Sequence, residues 1–261
     1  MRTTTVDRPG RRSDAIDMVG RHDDAGLARV RAWVTERADS RATSVSALLL
    51  CETAVSRLGV SGAALTVDTS QGWSETLHST DLLGEQLAEI QVTVGEGPCV
   101  DAGRVGGPVL VADLDTAAIG RRWPLFAPLA VHAGARALFA LPLRVGSIHA
   151  GTLVLHRAEA GSLDATTLTD ALAFARLALR LLLDERAGLG GADHDLGDSL
   201  SLHDLRVHQA TGMISAQLEV GMADAFAALR GRAFADQRPL GELAADVVAR
   251  RVRFDLTEET I

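Results

Sequence analysis

Apolar positions early in the chain recur at spacings of three and four. Leu27, Val30, Val34 and Ala38 share one helical face, and Val45, Leu48, Leu49, Ala54, Val55 and Leu58 mark a second helix over 45–58. Gly59 is placed to end it, because glycine accepts the left-handed cap geometry. Ahead of these helices, residues 1–24 mix Arg, Asp, Thr, Gly and Pro without an apolar period and read as a flexible tail. From Gly62 the texture changes: 62–67 reads as a strand, 68–72 as a polar turn and 73–79 as its partner strand. A helix follows over 81–91 with Asp81 as N-cap, then a glycine-rich corner at 95–99, a short strand at 109–111 and a helix over 125–133. Two apolar strands, 136–145 and 148–156, flank Gly146-Ser147, which suits a tight hairpin. A long helix over 167–186 has a broad apolar face, which either closes the core of the sheet or pairs with its copy in a dimer.

This order predicts an α+β fold, an antiparallel sheet with helices packed on one side, over residues 25–187. A doubly wound parallel sheet would need regular strand–helix alternation and a glycine fingerprint after a strand, and neither is present. Residues 188–203, rich in glycine and aspartate, read as a linker. Beyond it lie three short helical patterns, over 204–218, 222–235 and 239–253, with Pro239 in the first turn of the last. They make a small domain at 204–254, followed by a C-terminal tail at 255–261. At about 50 residues this unit is small enough to need a neighbour or a dimer partner for stability.

Composition narrows the function. The formal charge is −8, so any nucleic-acid contact must be local. All 26 basic residues are arginine, which fits a GC-rich coding bias. No apolar run is long enough for a membrane span, and the N-terminal segment has no apolar core of the secretory kind, so a cytoplasmic location is expected. The two cysteines, Cys51 and Cys99, make neither a disulfide framework nor a CxxC pair. The eight histidines miss metal-ligand spacing, and strict strand alternation puts His149 and His156 on opposite faces. No metal site is expected. GxSxG, P-loop and dinucleotide fingerprints are absent, and an enzyme is not expected.

The C-terminal unit carries the most specific pattern. Val207-His-Gln-Ala-Thr-Gly-Met-Ile214, Ala225-Phe-Ala-Ala-Leu229, Ala233-Phe234 and Pro239-Leu-Gly-Glu-Leu-Ala-Ala-Asp-Val-Val248 resemble the ANTAR family of three-helix RNA-binding antitermination modules. Ala210, Gly212, Ala225, Ala233 and Ala244 match positions where that family packs its helices closely. The larger domain resembles a GAF domain of the branch fused to ANTAR modules in actinobacteria. The segments that carry this likeness are Val94-Gly-Glu-Gly-Pro-Cys99, 109–113 with Arg122-Trp-Pro-Leu-Phe126, Ala137-Leu-Phe-Ala-Leu-Pro-Leu143 and Gly151-Thr-Leu-Val-Leu-His-Arg157. Together the two resemblances cover about residues 43–254.

The resemblance implies a homodimer whose output domains grip paired RNA stem-loops in leader transcripts, under control of a small-molecule or redox signal read by the larger domain. Its cofactor or ligand is not identified by sequence. One departure stands out: where ANTAR modules commonly carry a lysine, this chain has Thr211, which removes a cation from the expected phosphate contacts.

The residues themselves supply candidates. Between positions 204 and 253 seven arginines face six acids, a net charge of about +1. Arg250, Arg251 and Arg253 cluster at the end of the last helical pattern, and Arg230 and Arg232 in the one before it. Guanidinium groups suit phosphate oxygens and stack on loop bases, while cations near a helix C-terminus also complement its dipole. Phe226 and Phe234, eight apart, are expected on one face as core. Cys99, after Gly-Pro at a helix start, is the candidate sensor, since such placement lowers a thiol's pKa; a buried inert thiol is the other reading. Glu96 beside it is either a ligand contact or a solvated turn carboxylate, and Asp113 and Asp115 are expected to face solvent. If the helical unit does not bind RNA, the alternative is a signalling adaptor that dimerises or docks a protein partner.

Overall fold

The computed structural model describes residues 11–69, 74–186 and 202–255. Two helices, α1 (Arg11–Ser40) and α2 (Ala47–Leu58), precede a strand pair, β1 (Gly62–Asp68) and β2 (Ser74–Ser79). Then come α3 (Leu82–Val94), α4 (Pro98–Val105), β3 (Val109–Val111), α5 (Ala117–Arg122) and α6 (Phe126–Ala133). The hairpin β4 (Ala137–Val145) and β5 (Ile148–Arg157) leads into α7 (Ala165–Arg186). Three helices follow: α8 (Leu202–Leu218), α9 (Met222–Ala235) and α10 (Leu240–Val248). Helix α1 starts inside the segment read as a tail, because a helix can propagate from an amphipathic stretch into polar residues that have no apolar period of their own. Of the expected linker only 202–203 is described, and of the C-terminal tail only Asp255.

Local chemistry sets the element ends. The Ser46 hydroxyl accepts from the Leu49 amide at 3.2 Å to start α2, and Gly59, at φ +60°, ends it. The Asp81 carboxylate accepts from the Gly84 amide at 2.8 Å to start α3. Helix α4 and the short α5 have no counterpart in the apolar pattern.

The five strands are antiparallel in the order β2-β1-β5-β4-β3. Helices cover both faces of this sheet, which corrects the expectation of one. Leu65, Phe139, Leu153 and Leu155 face one core with Leu50 of α2 and Phe174 of α7. Leu138, Ala140 and Val154 face a second with Leu87 of α3, Trp123 and Phe126. The central strands β4 and β5 are buried on both sides, so their apolar runs are continuous where a one-sided sheet would alternate. Helix α7 closes the first core against α1, α2 and β4.

The C-terminal helices enclose a core of their own, with Ile214, Leu229, Leu243 and Val247 fully buried. Val92 of α3 packs onto it, and α9 lies against α3, so the neighbour that so small a unit requires comes from the same chain. Two expectations are corrected here. The last helix stops at Val248, with Arg250 in the left-handed conformation (φ +60°) that usually takes glycine, so Arg250, Arg251 and Arg253 lie beyond the helix. Pro239 sits at the N-cap position, one residue before the first turn. Phe226 is core as expected, but Phe234 is 47 % exposed; eight residues of α-helix turn through 800°, which separates the two side chains by about 80°.

Candidate functional site

The glycine-rich corner joins α3 to α4. Gly95 ends α3 at φ +72°, and Gly97 at φ +134° brings the chain against the Gln91 side chain. Gln91 is buried and bridges the corner: its Oε1 accepts from the Cys99 amide at 2.8 Å, and its Nε2 donates to Cys99 Sγ at 3.2 Å and to the Leu87 carbonyl at 3.2 Å. Glu96 is not an idle turn residue. Its Oε1 accepts from the Leu125 and Phe126 amides, at 2.6 and 2.9 Å, and so caps the start of α6. Glu96→Ala should lower stability by about 1–2 kcal/mol in urea denaturation, while Glu96→Gln keeps an acceptor and should lose less.

Cys99 begins α4 just after Pro98, yet its thiol is not activated. Desolvation pushes its pKa up to about 12, opposed by the hydrogen bond from Gln91 and reinforced by the Asp68 carboxylate. Burial also pushes Cys51 up to about 12. Of the two readings the sequence offers for Cys99, burial favours the inert thiol: the dipole of an eight-residue helix does not offset the loss of water around the sulfur.

Cys99 and Gln91 stand in the wall of a cavity of about 210 Å³. Strand β2 supplies Glu75, Thr76 and His78, helix α3 supplies Glu85 and Glu89, and the far side is closed by Val207, Phe226 and Leu240 of the helical unit. Among the described residues three carboxylates and no arginine line it, which favours neutral or cationic occupants over anions. Polar contacts run across the same seam. Glu75, 5 % exposed, pairs with His208 of α8. Glu89 Oε1 accepts from the Gly241 amide at 3.2 Å at the start of α10, which has no side-chain cap of its own. The Arg230 guanidinium lies over the C-terminal end of α3, where a Cβ on Gly95 would come within 3.1 Å of Arg230 Nη1. Of these residues only Arg230 was a candidate by sequence. Glu75, Glu89, Gln91 and His208 carry no local signal, since each acts through a residue remote in the chain or across a turn.

The other candidate arginines are dispersed. Arg232 pairs with Asp236 at 2.9 Å, and Arg251 Nε donates to Asp246 at 2.8 Å beside Arg238 at 2.7 Å. Hydrogen bonds from Arg238 and Arg251 hold the Asp246 carboxyl below the ordinary carboxylate range. This support of the helical unit is present above that range and fades as pH falls through the depressed folded value. Arg250 and Arg253 are exposed and form no ion pair among the described residues. Thr211 is buried, with its hydroxyl donating to the Val207 carbonyl at 2.7 Å. Position 211 is interior in this chain, so the missing lysine takes nothing from an exposed surface here. Ala210, Ala225, Ala233 and Ala244 are fully buried, whereas Gly212 faces solvent.

The histidine reading also needs correcting. A register shift where Leu143 and Arg144 face Gly151 and His149 adds a residue to β5 and breaks strict alternation. His149 then lies beside Thr152, 3.4 Å from its hydroxyl, and against Gly103 of α4, with Asp68 at 2.6 Å. Thus His149 shares the α4 side of the sheet with Thr152, Val154 and His156. Asp113 accepts from Arg136 at 3.0 Å and from the Asp115 amide at 3.0 Å, so it organises a turn.

No family model and no curated protein matches the sequence. Among solved structures the chain is similar to GAF domains. That of a phosphoenolpyruvate-protein phosphotransferase from Coxiella burnetii is 14 % identical over 63 % of this chain and 96 % of that one, with a TM-score of 0.47. The GAF domain from the corresponding Acinetobacter protein is 12 % identical over 64 % and 97 %, with a TM-score of 0.46. The second GAF domain of DevS from Mycobacterium smegmatis is 20 % identical over 54 % and 95 %, with a TM-score of 0.40. No helix among the described residues is long and apolar enough to cross a membrane.

Proposed function

We propose that this chain is a signal-responsive, non-enzymatic regulator in which a GAF-like domain controls an ANTAR-like, RNA-binding output unit acting in transcription antitermination. The observation that carries this reading is the separate core of α8, α9 and α10, in the segment that resembles an ANTAR module. Its four closely packing alanines, 210, 225, 233 and 244, are fully buried. The exposed Arg250 and Arg253 offer guanidinium groups to phosphate or unstacked bases, and Arg232 and Arg251 add to them only once their acid partners give way. Two copies of the chain would present two such units to paired stem-loops in a leader transcript. A neutral or cationic small molecule in the cavity supplies the signal, in place of thiol chemistry at Cys99.

The adaptor reading has one observation in its favour: two of the five candidate arginines already hold carboxylate partners, Arg232 at Asp236 and Arg251 at Asp246. Crosslinking the full chain to RNA and sequencing the bound transcripts separates the two. Enrichment of leader RNAs with tandem stem-loops is expected; recovery of no RNA above background would leave the adaptor reading.

A further inference from the structure

We propose a second ligand site, on the opposite face of the sheet from the cavity at Cys99: a cleft between β4 and α7 that takes a small carboxylate with an apolar tail. It stands whether or not the helical unit binds RNA.

The cleft encloses about 230 Å³ over an apolar floor. Leu141 and Leu143 of β4, both fully buried, and Ala175 of α7, 6 % exposed, belong to the core shared with α2, whereas Cys99 packs against the other core. Leu172 and Leu179, one turn either side of Ala175, line the same space.

The sequence accounts for the opening. Strand β3 pairs with β4 only at Leu138, Phe139 and Ala140, and from Leu141 onward the turn after α4 takes its place, through Gly106 and Pro108. On the helix side the short side chain at Ala175 leaves a gap that a leucine would fill. Protein interiors normally close such voids, and an apolar one that stays open receives apolar guests.

Charge decides what kind of guest. Arg144 and Arg176 both line the cleft, and among the described residues no carboxylate does. Arg144 is fixed in position: its Nη2 donates to the Ser147 carbonyl at 3.1 Å across the hairpin turn, and its Nη1 fills the space over Gly106, where a Cβ would overlap it. It forms no ion pair among the described residues, so most of its donors are open to a ligand. A carboxylate matches the guanidinium fork with two parallel hydrogen bonds. The volume, below the roughly 300–1,000 Å³ of ordinary ligand sites, limits the tail to a short chain. The two cavities thus sort ligands by charge, with carboxylates lining the one and guanidinium groups the other.

Octanoate is the probe and octanol its uncharged counterpart, each titrated into the full chain by calorimetry and followed on leucine methyl NMR signals. Octanoate should bind with shifts concentrated at Leu141, Leu143, Leu172 and Leu179, and octanol should bind roughly tenfold more weakly. Arg144→Gln should weaken octanoate roughly tenfold and leave octanol unchanged, which abolishes the preference. Ala175→Leu should close the cleft and remove binding of both compounds; if that variant does not fold, the Arg144→Gln comparison decides alone. Equal affinity for octanoate and octanol, or octanoate binding undiminished in Arg144→Gln, would show that no anion site exists, and the proposal falls. It falls equally if octanoate does not bind, if its shifts lie on leucines away from the cleft, or if folded Ala175→Leu binds it as wild type does.

Discussion

Gly151→Ala should be the most damaging single-methyl change in the sheet. Gly151 sits in β5 at φ +156°, and a Cβ there would lie 2.0 Å from the Thr66 carbonyl oxygen and 3.0 Å from Val67 Cα. Those atoms belong to β1, the neighbouring strand, so nothing can yield without breaking the β1–β5 ladder. Backbone strain of about 1–3 kcal/mol adds to an overpacking cost of similar size. Together they approach the whole stability of a domain and should lower its Tm by about 10 °C or more. Gly120→Ala, in open space on α5, serves as the control and should be neutral or slightly stabilising. Calorimetry of the two variants checks this; equal Tm values would mean that β5 does not run this close to β1. The consequence is also functional, because the same irregularity turns His149 toward Asp68 and α4, and Thr66 of β1 lines the cavity.

The second large effect concerns the thiols. A pKa near 12 in place of the ordinary 9.0 leaves Cys99 with about a thousandth of the usual thiolate at any given pH below 9, and Cys51 the same. Iodoacetamide at pH 8 should therefore modify the native chain on the order of a thousandfold more slowly than the unfolded chain. Cys99→Ser should leave any response to oxidant unaltered, since Ser can still receive the Gln91 bond. Rapid modification of Cys99 in the native chain, read by peptide mass spectrometry, would restore the redox proposal. This prediction moves the signal away from the residue that the sequence singles out and toward the cavity it borders.

How much could be read in advance depended on the range of the interaction. Caps and turns are local, so Ser46 and Asp81 do not depend on distant partners, and Asp81 and Gly59 were legible as helix ends from their neighbours alone. The strands β1, β4 and β5 were legible because their apolar runs are bounded by glycine and polar residues. Helix α4 was not, since eight residues that include Gly103 present too short a periodic face. The side of the sheet taken by His149 was hidden by one inserted residue in β5, which resets every alternation beyond it. Cys99 left two readings open because its helix start is local and its desolvation is not. The docking seam was the least legible feature, as Glu89 and Gly241 stand 152 residues apart and no local pattern links them. The arginine cluster was legible as composition, but which members hold acids and which face solvent depended on Asp236 and Asp246.

The stem-loop reading meets its most direct test in the salt dependence of RNA binding. Affinity of the full chain for a tandem stem-loop RNA, measured from low to physiological salt, should fall linearly on logarithmic axes as counterions are released. In the double variant Arg250→Ala/Arg253→Ala that slope should flatten by about one per arginine removed, with weaker binding at every salt concentration. Affinity and slope identical in the two proteins, or no binding by the wild-type chain at the lowest salt, would contradict the account.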